Sequence, residues 1–203
     1  MYPNDLITRI DLNDPTNEDN KQGVSGLGVH EVHEYANTPQ VFARANSEDH
    51  LSIFHNLVGT YAITRILGNY GTAKGIAYFI EDKEHIYSPL SRILYREELD
   101  VKYYGNTNKV KAFKEYLYSL EQNKIVKYFV NENNNGLFYQ LHFISNTPFQ
   151  AEGTHQCNLD LYQANYTFLN KNSFELSYKV LGPNKNYTIT TSFTRITSVR
   201  YKN

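Results

Sequence analysis

The chain has no tryptophan, one methionine and a single cysteine, Cys157, in 203 residues. One cysteine excludes an intramolecular disulfide and leaves the redox compartment undetermined. Long apolar runs are missing too: no segment approaches the ~20 consecutive apolar residues of a membrane helix. The N-terminus, Met1-Tyr-Pro-Asn-Asp-Leu-Ile-Thr-Arg9, lacks the apolar core of a signal peptide. Nor is one sign of charge in excess. Lys and Arg number 20 against 21 Asp and Glu, the formal net charge is −1 and the pI is near 6.7. Basic residues form no cluster, which removes the electrostatic case for nucleic acid or an acidic membrane as partner. A cytoplasmic or other internal soluble compartment is therefore expected.

What is abundant is Tyr, at 18, and Phe, at 11. Both favour pleated, half-buried surfaces and so lean the chain towards sheet. The length suits one domain with a short appendage and permits a sizeable core.

Residues 1–46 read as a polar N-terminal extension. Asn13-Asp-Pro-Thr-Asn-Glu-Asp-Asn20 and Gly23-Val-Ser-Gly-Leu-Gly28 favour turns or disorder. His30 and His33 stand at i, i+3, but His30-Glu-Val-His33-Glu34 is not the H-E-x-x-H order of a zinc protease and reads as a solvated turn. From residue 47 onward a single domain is expected. Ser47 to Val58 has the spacing of an amphipathic helix, capped by Ser47 and striped by Leu51, Phe54, Leu57 and Val58. Gly59 ends it.

From Thr60 the period changes from 3.6 to 2. Tyr61, Ile63, Arg65 and Leu67 alternate with Thr60, Ala62 and Thr64. Similar runs cover 73–80, 93–101, 110–120, 124–130, 137–144, 150–168, 173–181 and 187–197. About nine strands with hairpin-length links predict an all-β, single antiparallel barrel or sandwich. Parity then assigns faces. In the last strand Thr188, Thr190, Ser192 and Thr194 suit solvent, which turns Tyr187, Ile189, Thr191, Phe193 and Arg195 inward. Phe174, Leu176, Tyr178 and Val180 face in from its neighbour. The same rule puts Arg65 and Glu97 inside, and Asp160 with Tyr162, Tyr166 and Phe168. His155 and Cys157 have the opposite parity to Asp160, so a β-bulge near Asn158-Leu159 is expected to bring all three inside. Arg65, Arg195, Glu97 and Asp160 would then form a balanced interior charge set, tolerable only if paired. It reads either as a structural ion-pair network or as the polar floor of a ligand site.

These residues resemble a family of small calycin or lipocalin-like domains of unknown function. Its L-x-G-x-W-x-x-x-R opening is matched by Leu57-Val-Gly59-Thr-Tyr61-Ala-Ile-Thr-Arg65, with Tyr61 in place of Trp. Tyr95-Arg-Glu97-Glu98 matches a second motif. The H-x-C-x-x-D-x-Y, G-P-x-K-x-Y and aromatic-x-R pattern appears as His155, Cys157, Asp160, Tyr162, Gly182, Pro183, Lys185, Tyr187, Phe193 and Arg195. The likeness spans about residues 51–197; Tyr139 stands where the family carries a histidine. It implies a lipocalin-like β-barrel that holds a small, mostly apolar or amphipathic ligand. It also implies that Arg195 packs over Tyr61, a cation–π contact worth roughly 0.5–2 kcal/mol.

The chemistry stays open. The candidate ligand-binding set is Arg65, Glu97, His155, Cys157, Asp160, Tyr162, Lys185, Tyr187 and Arg195. Nucleophilic use of Cys157 is poorly spaced: strand neighbours i and i+2 stand ~6.5 Å apart, whereas a base must come within about 3 Å. His155 with Asp160 makes a better acid/base pair. His155 and Cys157 supply only two ligands for haem or zinc, so no cofactor is expected, though neither is excluded. Lys185 shares parity with Tyr187 and can reach over a barrel rim towards an anion. Three functions follow: a carrier of an unidentified small molecule, a small enzyme using His155 and Asp160, or an interaction subunit whose barrel is filled by side chains.

Overall fold

The computed structural model describes residues 47–82, 91–122, 124–130, 136–146 and 148–197. The extension at residues 1–46, with the His30–Glu34 segment, lies outside them. One helix, α1 (Ser47–Leu57), precedes eleven strands. They are β1 (Gly59–Leu67), β2 (Gly71–Glu81), β3 (Ser91–Tyr103), β4 (Lys109–Glu121), β5 (Lys124–Phe129) and β6 (Leu137–Gln140). β7 (His142–Asn146), β8 (Phe149–Cys157), β9 (Asp160–Asn170), β10 (Ser173–Gly182) and β11 (Lys185–Arg195) complete the chain. Among the described residues no helix is long and apolar enough to cross a membrane.

All eleven strands form one antiparallel sheet in the order β6-β5-β4-β3-β2-β1-β11-β10-β9-β8-β7. Every neighbour is a hairpin partner except β1 with β11, which joins the first strand to the last and pairs Tyr61 with Arg195 and Arg65 with Thr191. The two ends of the order, β6 and β7, are separated in sequence by Leu141 alone, and β6 also lies against β8. The sheet therefore curls into a nearly closed barrel, which removes most of its exposed edge.

The alternation read from sequence is the alternation of burial. Tyr61, Ile63, Arg65 and Leu67 are buried in β1, as are Ile93, Tyr95, Glu97, Leu99, Val101 and Tyr103 in β3. Phe174 and Phe193 stack at 4.3 Å, with Tyr61 and Phe79 edge-on around them. Such aromatic pairs add about 0.5–1.5 kcal/mol each beyond their burial. α1 closes this end of the barrel with Phe54 and Leu57, 1% and 4% exposed. Leu51, expected in the same stripe, is exposed, whereas its neighbour His50 stacks on Phe143 and Ile53 packs on the core.

Two strand expectations change. The run 137–144 is divided at Leu141, whose N–H still bonds the carbonyl of Ile125, and from His142 the chain pairs with β8 instead of β5. Residues 150–168 form two strands, not one bulged strand. Asn158-Leu159 is the two-residue turn of a hairpin in which Cys157 pairs with Asp160 and His155 with Tyr162. Asn158 has φ of 53°, a left-handed conformation that asparagine accepts more readily than most residues. Cross-strand partners share a face, so the reversal places His155, Cys157, Asp160 and Tyr162 on one face without any bulge.

Candidate functional site

The polar residues of the barrel fall into three clusters along its axis rather than one network. At the α1 end, the Arg195 guanidinium donates to the carbonyl of Val58 at 2.6 Å, and also to the carbonyl of Asn56 and the Tyr61 hydroxyl. Its carbon lies 4.7 Å from the centre of the Tyr61 ring. The last carbonyls of a helix have no partner within it and carry partial negative charge, so this cation both satisfies and neutralises them. Gly59 makes room: a Cβ there would stand 2.1 Å from Arg195 Nη1, and its φ of 148° is one that side chains rarely adopt. Arg195 thus fastens the helix to β1.

At the centre, Arg65 and Glu97 are 8% and 4% exposed. Arg65 donates from Nη1 to Glu97 Oε1 at 2.8 Å and from Nη2 to Oε2 at 2.6 Å, while its Nε reaches Thr191 Oγ1 at 2.8 Å. Tyr95 donates its hydroxyl to Glu97 Oε2. Such a two-pronged, fully bonded pair is the arrangement in which buried charge is tolerated. Burial works against the Glu97 carboxylate, but the Arg65 charge and the hydrogen bonds from Arg65 and Tyr95 outweigh it and hold its pKa below the usual value.

Beside this pair lies Lys127, 2% exposed and projected inward from β5. Its Nζ donates to the Tyr178 hydroxyl at 3.1 Å and sits 3.8 Å from the centre of the Tyr116 ring. No ion pair with a carboxylate is formed among the described residues. Tyr178 continues to Tyr139 at 2.6 Å, Tyr139 to Tyr166 at 2.7 Å and Tyr166 to Tyr118 at 3.0 Å. Four buried hydroxyls are thereby satisfied in series. Burial raises the pKa of all four phenols, so they remain protonated donors. Burial also pulls the Lys127 amine well below its ordinary value, and neighbouring Glu97 only partly opposes this. A cavity of about 20 Å³ lies between these groups, walled by Arg65, Glu97, Lys114, Lys127 and the apolar side chains of Phe174 and Leu176. That is room for one or two water molecules.

The third cluster sits around the Asn158-Leu159 and Pro183-Asn184 turns. Asp160 Oδ2 is 2.7 Å from Lys185 Nζ, which also reaches the Tyr162 hydroxyl at 3.4 Å. A Cβ at Gly182 would collide with Asp160 Oδ1 at 1.9 Å, so glycine at this position lets the ion pair form. The His155 ring packs edge-on against Phe138 at 5.0 Å and Phe129 at 5.4 Å. Asp160 is committed to Lys185 and His155 to aromatic contacts; no hydrogen bond joins the two. Cys157 is exposed rather than interior, because it is the last residue of β8 and stands at the hairpin tip beyond the packed wall. Tyr187 is half-buried, edge-on to Tyr70 at 5.7 Å. Among the described residues no three His, Cys, Asp or Glu side chains converge as a metal would require.

Of the residues singled out from sequence, Arg65 meets Glu97, Asp160 meets Lys185 and Tyr162, and Arg195 stands apart at the opposite end. Lys127 and the tyrosine relay were not among them. The signal was present: Ile125, Lys127 and Phe129 share a parity, and both flanking residues are those that an interior face would carry. Tyr139 proves to lie within the relay, between Tyr178 and Tyr166.

Among solved structures, the chain is similar to the S-type phycobiliprotein lyase CPES from Guillardia theta, with a TM-score of 0.53 and 9% identity, covering 79% of this chain and 100% of that one. It is also similar to the redesigned β-barrel mFAP1 bound to DFHBI, at a TM-score of 0.32 and 11% identity, covering 70% and 96% of the two chains. No curated protein sequence matches it. The lyase likeness supports the barrel architecture alone. At the level of sequence, residues 57–195 match the model of the family of unknown function DUF6314, and the chain belongs to that family.

Proposed function

We propose that this barrel binds a small amphipathic molecule in its interior, with the ligand's polar end at the central cavity. The observation that carries this reading is the imbalance of charge around that cavity. Arg65 and Lys127 border it, whereas Glu97 is the one carboxylate in its lining and is already engaged by Arg65. A buried amine without an anion is driven towards its neutral form, and a ligand carrying a carboxylate, or another electron-rich polar group, would pair with it and restore the charge. The aromatic and aliphatic walls suit the apolar remainder of such a molecule. Lys114, half-buried and long, is the side chain whose movement would enlarge the cavity. Ligand binding is also a known use of barrels of this general size.

One observation favours a second reading. A cavity of about 20 Å³ is too small for an organic ligand unless side chains move, as expected of a barrel filled by its own tyrosines and serving as an interaction subunit. Native mass spectrometry of freshly isolated protein, followed by titration with oleate, separates the two. Ligand binding predicts a retained mass, or saturable uptake of one oleate that Lys127→Met weakens at least fivefold. A bare chain with no saturable uptake, in protein whose near-ultraviolet circular dichroism shows fixed aromatic packing, would leave the filled barrel as the reading.

A further inference from the structure

Lys127 differs from Arg65, Arg195 and Lys185 in its partners. Arg65 has Glu97, Arg195 has helix carbonyls and a phenol, and Lys185 has Asp160. The hydrogen-bond partner of Lys127 is the hydroxyl of Tyr178, and aromatic rings surround the rest of the amine. An amine kept from water, without a carboxylate, beside a cavity and bonded to a phenol at the head of a hydroxyl chain is a nucleophile with its own acid–base partner.

From this juxtaposition we propose that Lys127 captures a carbonyl-bearing ligand, an aldehyde or ketone with an apolar body, as a reversible Schiff base in the barrel. The inference rests on the reading of the interior as a ligand site and adds a covalent step to it. The Nζ lone pair attacks the carbonyl carbon, a C–N bond forms, and one amine proton passes to the oxygen to give a carbinolamine. Its hydroxyl then leaves as water, taking a proton from the Tyr178 O–H, while the remaining N–H proton returns to the phenolate. Amine and carbonyl become imine and one water, with no change of oxidation state and no co-reactant.

The relay gives Tyr178 a means to change direction. With a neutral amine, each hydroxyl from Tyr118 through Tyr166, Tyr139 and Tyr178 can donate towards Lys127. With a charged amine or iminium, the same chain can donate the other way. The groups facing Lys127 are Arg65 from β1, Tyr95 and Glu97 from β3, and Lys114, Tyr116 and Tyr118 from β4. Tyr139 and Tyr178 face it from β6 and β10. Burial, Lys114 and Arg65 favour the neutral amine, while Glu97 and the ring faces favour the ammonium. An exposed lysine at pH 7 is neutral in only roughly one molecule per two thousand, from its ordinary pKa of about 10.4. Burial shifts Lys127 towards its neutral form.

The test treats the full-length native protein at pH 7 with acetaldehyde, and separately with hexanal, in the presence of cyanoborohydride. Peptide mapping then locates the reduced adduct. Lys127 is expected to be alkylated first, at least tenfold faster than exposed lysines such as Lys109 and Lys124. Tyr178→Phe should slow it tenfold or more, and Lys127→Met should remove the fast mass gain. Adducts on exposed lysines with none at Lys127 would overturn the proposal, and because that result comes from wild-type protein it does not depend on how a variant folds. Oleate uptake intact in the same preparation would confine the failure to the covalent step; uptake absent as well would take the ligand-site reading with it.

Discussion

Arg65 and Lys127 project into the same interior and border the same cavity, yet the fold treats them in opposite ways. Arg65 meets Glu97 through two parallel hydrogen bonds and gives its third donor to Thr191. Lys127 meets a phenol and the faces of aromatic rings. A guanidinium is always charged and presents a rigid fork, so it must be given a carboxylate when buried. A lysine amine can instead give up its proton, and burial drives it to do so. The first cation has the features of a structural tie. The second is buried with a phenol in place of a carboxylate, an arrangement that works against stability.

The contrast can be broken most severely from the Arg65 side. Glu97→Gln leaves a charged guanidinium buried without an anion and should cost about 3–5 kcal/mol of unfolding free energy, measured by urea denaturation at pH 7. The sign of its pH dependence follows from the lowered Glu97 pKa: the folded carboxylate binds its proton less readily than the unfolded one. Its contribution is therefore complete above the ordinary carboxylate range and is lost as pH falls through the folded-state value. Unfolding curves taken between pH 6 and pH 3 should show a fall for wild-type protein that Glu97→Gln largely lacks.

A smaller effect of opposite sign is expected at Lys127. Lys127→Met keeps the volume and removes a desolvated amine, and should raise stability by about 1 kcal/mol or leave it unchanged. The wild-type amine has a lowered pKa, so the unfolded chain binds more protons than the folded one between the folded value and about 10.4. Stability should rise with pH across that window in wild-type protein and stay flatter in the variant. Destabilisation by several kcal/mol would instead make Lys127 a structural tie like Arg65.

The smallest effect belongs to the hairpin-turn cluster. Asp160 and Lys185 are about a fifth exposed, at side-chain values of 21% and 22%. Asp160→Asn should therefore cost under about 1 kcal/mol in the same denaturation assay.

Much of this was legible in the chain. Parity in β1, β3, β10 and β11 placed Arg65, Glu97, Tyr178 and Phe193 inside, because a sheet packed on one face imposes its period on every residue. The match of Leu57-Val-Gly59-Thr-Tyr61 with Arg195 anticipated the cation over the aromatic ring. Parity was weaker around residues 155–160, where a two-residue turn and a bulge have the same effect on facing. The register of β8 with β9, in which Cys157 stands opposite Asp160, decides between them. It also could not tell that Arg195 and Asp160 lie in separate clusters, since facing inward fixes a side of the wall and not a height along the barrel.

The sequence alone determined the all-β class, most of the residues that face the interior and the helix before β1, since these depend on periods of 2 and 3.6 within single segments. Only the tertiary structure decided who meets whom. Pairing β1 with β11 and bringing β6 against β8 fixes the stagger of every strand, and that stagger joins Arg65 to Glu97. It also leaves Lys127 with Tyr178 at the head of a hydroxyl chain drawn from β4, β6, β9 and β10. Contacts between strands far apart in sequence depend on closure of the whole sheet, which no local pattern encodes.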